Sequence, residues 1–394
     1  VHALTGHGAQ DSTDRLLSPS SAWTADHLAR LATSPSTTIP PIDPQLPRPL
    51  FPGLDLWDMW PLQDRDGSIA GIDGGQIWFI LSSPRLPDPD HRHAIARIRL
   101  VERRGEQWID HGNCFPDDFT PGSREWAGSA VRNPADDTIT HYFTAAGTRG
   151  DARDNWQQRI FASTGHWRSA QAKIAIDWDI PQEILVADGA QYQKVTADIG
   201  RAGFIKGFRD PAWFADPLDG AEYLLFTASL ANVESAFDGA IGLARRNAAG
   251  AWALLAPAVA MTGVNNEPER PHIVYHAGRY YLFFSTQTRM FAPGIFAGPN
   301  GLYAMVADSM AGPWQPVNGT GLVAANPDSA PQQAYSWWVT SELQVYGFAD
   351  LLGPTAARPV DDPKWRRDHF AGVPAPVFQL SLAGATSSIS DSCS

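Results

Sequence analysis

Asp58 stands between Trp57 and Trp60 in the stretch 54-LDLWDMWPLQ-63. A carboxylate among the largest apolar side chains loses hydration, which is costly unless it is paired or its surroundings are arranged for chemistry. Similar stretches recur along the chain: 125-EWAGSAV-131, 209-RDPAWFADP-217, 267-EPERPHIVYH-276 and 335-YSWWVTS-341. They supply Glu125, Arg209, Asp210, Glu267, Glu269 and Arg270, with Trp57, Trp60, Trp126 and Tyr335 beside them. Carboxylates facing one another in a dry space cannot all ionise comfortably, so one pKa should rise. A raised carboxyl serves as a general acid and an ionised one as a nucleophile. Two carboxylates flanking a glycosidic bond are what glycoside hydrolysis uses, and aromatic faces suit the C–H patches of sugar rings. Each residue alone also has a plainer use. Asp58 could cap a turn before Pro61, Arg209 and Asp210 could be a structural ion pair, Glu269 and Arg270 a solvated one, and Trp126 part of a core.

The elements that must position these residues favour the chemical reading. Each stretch precedes a short aromatic or β-branched run: 76-QIWFILSS-83, 139-ITHYFTAA-146, 222-EYLLFTAS-229, 279-RYYLFFST-286 and 343-LQVYGFAD-350. Turn signals such as Asp-Gly, Asp-Asp and Ala-Gly lie near each run. One unit therefore occurs five times, with openings roughly 60 to 85 residues apart, longer than the usual propeller period. Repeated β meanders predict an all-β, five-bladed β-propeller, which limits exposed sheet edges by radial repetition. The five openings would then converge on one central funnel. The rival architecture is a β-sandwich with a second domain. Around the repeats, residues 1–53 read as a polar segment, a helix over 23–33 with Thr24 as N-cap, and a Pro-rich connector. Residues 54–379 read as the propeller and 380–394 as a Ser-rich tail.

Composition closes off other classes. The chain has 394 residues and a net charge of −12, with four lysines and scattered arginines, so nucleic acid is not an expected partner. No run of eighteen apolar residues occurs, so no membrane span is expected. Cys114 and Cys393 are the two cysteines. A bridge between them, or two free thiols, both fit their number. No Cys/His cluster has zinc spacing. His272 and His276 are four apart but in a strand-like run, where they would be neighbours on one face and not a helical ligand pair. No phosphate-cradling Gly loop and no nucleophile-elbow motif occurs.

Together, 57-WDMWPLQ-63, 125-EWAGSA-130, 209-RDP-211, 267-EPERPH-272 and 335-YSWW-338 resemble the levansucrase, inulosucrase and β-fructofuranosidase group, glycoside hydrolase family 68. The resemblance spans about residues 22 to 350. It implies a five-bladed propeller and a retaining attack on sucrose, with sucrose and fructooligosaccharides as partners and no cofactor. By resemblance Asp58 matches the nucleophile, Glu269 the general acid/base and Asp210 the transition-state stabiliser. Trp57 and Trp126 match walls of the fructosyl pocket. Arg209, Glu267, Arg270 and Tyr335 match residues that orient the substrate. Three departures stand out. Ala127 lies where many members carry a serine that hydrogen-bonds the nucleophile. Gln287 lies where members carry Arg or His on the acceptor side, which predicts short products or hydrolysis ahead of long levan. Asn266 lies where calcium-binding members carry Asp, so no structural calcium is expected. The acidic balance, the start at Val1 and the family habit point to a secreted protein, extracellular or periplasmic. The sequence does not fix the oligomeric state, and a monomer is compatible with it. A non-catalytic carbohydrate-binding propeller and an inverting hydrolase of plant arabinans are the competing readings.

Overall fold

The structure is a computed structural model and describes residues 21–45, 49–151, 155–170, 173–196, 205–353 and 362–390. It is all-β, as expected, and each expected aromatic run is a strand. Gly75–Pro84, Thr138–Ala146, Glu222–Ser229, Arg279–Thr286 and Gln344–Leu351 each pair antiparallel with the opening strand before them. The opening strands are Leu54–Gln63, Arg124–Asn133, Phe208–Ala215, Glu269–His276 and Ala334–Val339, called first to fifth below.

Each pair grows outward into an antiparallel meander. The third is the simplest: Phe208–Ala215, Glu222–Ser229, Gly239–Arg246 and Trp252–Ala260, in that order. The first and second meanders share one ten-stranded sheet, joined by a short parallel pairing of Leu62 with Ala130 and Gln63 with Val131. The opening strands also contact one another in sequence, first to second, second to third, third to fourth, fourth to fifth, and fifth back to first. That circuit brings the five motifs to one centre.

The core lies between neighbouring meanders and is heavily aromatic. Trp60 stacks on Phe79 at 6.2 Å, and Trp78 meets Tyr346 at 4.4 Å between the first and fifth meanders. Trp23, Leu28 and Leu31 are buried together, as the sequence implied. The helix that carries them is only Ala25–Leu28. Past it, Leu31 N–H reaches Leu28 and not residue 27, and Ser34-Pro35 starts a separate 3-10 turn. Trp23 docks by its backbone N–H on the Ala260 carbonyl and by its indole on the Thr320 carbonyl at 2.8 Å.

Two further differences concern the C-terminal region. The stretch expected as a tail from 380 enters the fifth meander, where Phe378–Ala383 pairs with Thr386–Ser390. Leu380 and Leu382 alternate inward there, a period-2 pattern obscured by the serines around it. A helix over Pro363–His369, capped by Asp362, had no counterpart in the sequence reading. It sends Arg366 to Asp88 and Arg367 to Asp55, each at 2.6 Å, and so ties the fifth meander to the first. Cys114 is a free, buried thiol. Cys393, with which a bridge and two free thiols were both open, lies outside the described residues, as does most of the N-terminal polar segment.

Candidate active site

All five opening strands break register inside their motifs. The slips fall between Trp57 and Met59, Trp126 and Gly128, Arg209 and Ala212, Glu269 and His272, and Tyr335 and Trp338. Each is a bulge, in which one extra residue re-aims its side chain out of the ladder. The extra residues include Asp58, Ala127, Asp210, Arg270 and Ser336. Three of them have left-handed backbones: Asp210 at φ 59°, Arg270 at φ 52° and Ser336 at φ 59°. Such conformations cost about 1–3 kcal/mol each for non-glycine residues and cluster at functional sites. The prolines of the Arg-Asp-Pro and Glu-Arg-Pro motifs now have a cause. Pro211 and Pro271 occupy the bulges, where the ladder has no use for their missing N–H. In the second strand the residue after the bulge must be Gly128, because a Cβ there would overlap the Tyr142 carbonyl.

Asp58 is half-buried at the lining of a cavity of about 660 Å³. Burial raises its pKa; the Arg270 charge and a hydrogen bond from Ser336 pull it back, and the Glu269 charge adds to the rise. The Ser336 hydroxyl answers the question raised by Ala127: the fifth strand supplies the support that the second strand lacks. Ser336 is itself held by Arg270, whose Nη1 donates to its hydroxyl and carbonyl, both at 2.8 Å. Arg270 Nη2 donates to the Met59 carbonyl at 2.5 Å. Arg270 thus spends its donors on the bulges of the first and fifth strands. It lines the cavity while also holding the surroundings of Asp58.

Asp210 is buried and receives the Thr227 hydroxyl at 2.9 Å and Arg270 N–H at 3.2 Å on Oδ2. Burial pushes its pKa up to about 6, against the pull of Arg209; the charges of Glu269 and Asp58 push the same way. Glu269 is more open, with its side chain 22 % exposed. Arg209 Nη2 donates to its Oε1 at 3.0 Å and the Tyr335 hydroxyl to its Oε2 at 2.5 Å. Arg209 Nη2 also donates to Glu267 Oε2 at 2.8 Å, and Nη1 to Gln158 at 3.3 Å. Burial raises the pKa of Glu267, opposed by Arg209. Burial likewise pushes the Tyr335 phenol well up, so it donates to Glu269 as a neutral hydroxyl.

The cavity gathers every residue singled out for the site: Trp57, Asp58, Trp126, Arg209, Asp210, Glu267, Glu269, Arg270, Gln287 and Tyr335. Trp126 Nε1 donates to the His93 carbonyl at 3.0 Å, which fixes its ring, while the buried Trp57 Nε1 has no partner. Glu125 is the exception among the motif carboxylates. It turns away from the cavity to Arg97 and the Ile98 N–H, because the residue before Trp126 faces the opposite side of the strand.

Several lining residues escaped the sequence reading. Asp350, a further carboxylate in the cavity, is pushed up to about 6 by burial. It ends the run 343-LQVYGFAD-350, and antiparallel pairing returns that end to the opening of its own unit, where Ala334 faces Ala349. The pairing rule alone would have found it. Arg92 packs over Trp57 at 5.4 Å and Phe370 at 4.5 Å from the short 3-10 helix Pro89–Ala94, which the sequence reading did not mark. Arg289 also lines the cavity, and the Gln287 amide oxygen accepts its Nε–H at 2.8 Å. The cavity wall beside Gln287 therefore is not uncharged, as Gln287 alone suggested; a cation comes from two residues further on.

No group of three or more His, Cys, Asp or Glu suited to a metal occurs among the described residues. His272 is buried, stacked on Trp338 at 4.4 Å, and accepts the Val339 N–H at 2.9 Å. Burial lowers its pKa to about 3, so it is a neutral structural post.

The levansucrase/invertase family profile matches residues 14–238 and 235–392. A levansucrase of Zymomonas mobilis is 32 % identical over 94 % of this chain and 90 % of its own length. The structure of an inulosucrase from Halalkalicoccus jeotgali bound to kestose is 36 % identical and superposes with a TM-score of 0.86, covering 94 % of this chain and 95 % of that one. A levansucrase structure from Gluconacetobacter diazotrophicus, at 22 % identity, shares the fold with a TM-score of 0.80 over 96 % of this chain and 91 % of that one. The bulged five-motif cavity thus belongs to an enzyme, and the chain is a member of the levansucrase/invertase family, glycoside hydrolase family 68.

Proposed function

We propose that this protein is a retaining fructosyltransferase that cleaves sucrose in the funnel of a five-bladed propeller. The observation that carries the reading is that Asp58, Asp210 and Glu269 arise from three different opening strands and line one cavity. The circuit of contacts among the opening strands supports the five-bladed arrangement. Asp58 attacks the anomeric carbon of the fructosyl unit as Glu269 passes its proton to the glucosyl oxygen, and glucose leaves. Glu269 then takes a proton from water or an acceptor hydroxyl, whose oxygen displaces Asp58 with net retention. Asp210, rigidly held by Thr227 and the Arg270 N–H, binds fructosyl hydroxyls. Arg209 and Tyr335 orient Glu269.

For the product, we favour short fructooligosaccharides over long levan. The 36 % identical inulosucrase that holds kestose, a trisaccharide, supports this. Arg289, tethered to Gln287, would grip the acceptor. The acidic balance supports secretion. Incubation with concentrated sucrose, followed by separate assays of glucose and fructose and chromatography of the products, tests the reading. Glucose in excess of fructose, with products of a few units, is the expected result. Absence of glucose release would sink the activity, and a profile dominated by high-molecular-weight levan would sink the product preference.

A further inference from the structure

His272 spends both ring nitrogens on the backbone of two bulged strands. Nδ1–H donates to the Arg270 carbonyl at 3.0 Å, and Nε2 accepts the Val339 N–H at 2.9 Å. The first bond reaches back into the bulge of the fourth opening strand, and the second crosses to the fifth, just beyond its bulge. A backbone N–H only donates and a carbonyl only accepts, so these partners fix one tautomer. The ring lies against Trp338 at 4.4 Å and 7° from parallel, and against Phe283 at 5.7 Å. His272 and Trp338 are each the first residue to rejoin its ladder after the slip. A second proton would set Nε2–H against the Val339 N–H, so geometry and burial both keep the ring neutral.

Bulges forfeit ladder bonds, and buried backbone groups must find other partners. Here side chains from neighbouring strands serve. Thr144 takes the Asp210 N–H at 2.8 Å, Ser129 the Trp213 N–H at 2.9 Å and Ser285 the Trp337 N–H at 3.1 Å. His272 differs from these hydroxyls in tying two opening strands to each other through both ends of its ring. Each of those strands holds a left-handed residue in its bulge, Arg270 at φ 52° and Ser336 at φ 59°. The Arg270 side chain closes the circuit, because its Nη1 holds the Ser336 hydroxyl at 2.8 Å. That hydroxyl in turn bonds Asp58. A tilt of either bulge therefore moves the Ser336 oxygen relative to the carboxylate.

We propose that His272 is a positioning residue for Asp58: it clamps the fourth bulge to the fifth and so keeps the Ser336 hydroxyl on the nucleophile. The inference rests on the proposed sucrose cleavage, with Asp58 as the attacking group. A hydrogen bond to the charged form of a carboxyl favours that form, so a displaced Ser336 leaves Asp58 harder to ionise. Asp58 also faces the charges of Arg270, Glu269, Arg92, Asp210 and Asp350. The test keeps all five and alters the clamp alone.

His272→Phe keeps an aromatic ring for Trp338 and removes both bonds. It is compared with wild type, Ser336→Ala and the double variant for kcat and KM of glucose release from sucrose across pH, each well below its melting temperature. His272→Phe is expected to lose about 10- to 100-fold in kcat/KM, the scale of a misplaced reacting group. Its acidic limb should move to higher pH, as in Ser336→Ala. On top of Ser336→Ala the same replacement should cost less than about twofold, because the clamp has no hydroxyl left to hold. A purely structural role would multiply the two losses and leave the limb in place. Either of those results, or a His272→Phe protein as active as wild type, overturns the proposal. If His272→Phe does not fold, His272→Gln, whose amide oxygen replaces Nε2 as acceptor for Val339, is put through the same cycle and judged by the same pH shift and the same non-additivity. A wild type that releases no glucose overturns the activity and this role with it, whereas an active wild type with an unaffected variant overturns this role alone.

Discussion

Asp210→Asn should make the protein more stable at neutral pH while removing its activity. Asp210 is buried at the site with its pKa raised from 3.8 to about 6. A carboxyl raised in this way binds more protons folded than unfolded between those two values, so stability falls as pH rises through that window. Above it the whole cost is present. A shift of about 2 units at 1.36 kcal/mol each is about 3 kcal/mol, an upper bound because the neutral amide gives up the attraction of Arg209. The amide oxygen still accepts from Thr227 or the Arg270 N–H, so the bulge keeps its anchor. At about 2.1 cal/mol/K per residue, 394 residues turn that energy into a rise in Tm of roughly 4 °C. Thermal melts of both proteins at pH 4 and pH 7.5 provide the test. The gain should appear in full at the higher pH and shrink to a small remainder at the lower, where the folded wild-type carboxyl is protonated and the unfolded one only partly so. A gain of equal size at both pH values, or none at pH 7.5, refutes the assignment of an uncompensated charge to Asp210.

Four other outcomes follow from the site. Asp58→Asn should abolish release of both glucose and fructose from sucrose with an unchanged near-ultraviolet circular dichroism spectrum; turnover above about one per cent of wild type, less than the loss expected for a missing nucleophile, would remove Asp58 from that role. Ser336→Ala deletes a hydrogen bond to a charged group, worth about 1.5–3 kcal/mol, so kcat/KM should fall about 10- to 100-fold. Because that bond lowers the Asp58 pKa, the acidic limb of the pH–rate profile should also move to higher pH, and an unmoved limb would count against the Ser336–Asp58 contact. Arg289→Ala should lower the ratio of transfer to hydrolysis while leaving single-turnover glucose release near wild type; an unchanged product ratio would place the acceptor elsewhere.

The strands were readable because each aromatic run buries side chains on both faces between neighbouring meanders, which concentrates Tyr, Phe and Leu in short blocks. The motifs were readable as the places where polar residues interrupt those blocks. The bulges were not readable, because a register slip is a relation between two strands and leaves no mark in either alone. That is why Glu125 looked equivalent to Asp58 although it faces away; Asp350 was missed for another reason, because it lies at the far end of its strand, where pairing and not the motif returns it to the site. Ser336 was hidden in plain view within 335-YSWW-338, since its backbone conformation and not its identity brings it to Asp58. The helix over Pro363–His369 was missed because its work is done by arginines reaching to Asp55 and Asp88 some 280 to 310 positions earlier, a pairing no local pattern encodes.

The contact between first and fifth opening strands also sets an order of events in the life of the chain. Arg270 bonds to the carbonyl of Met59, 211 positions earlier, and to Ser336, 66 positions later. Trp23 waits for Thr320, 297 positions on. The bonds to Ser336 cannot form while the ribosome still holds the last meander, so the surroundings of Asp58 stay incomplete until then. Ring closure joins the two ends of the sequence, and such non-local steps are slow because loop entropy must be met before the contacts reward it. Until synthesis and closure are complete, the chain carries its carboxylates but cannot bring them together.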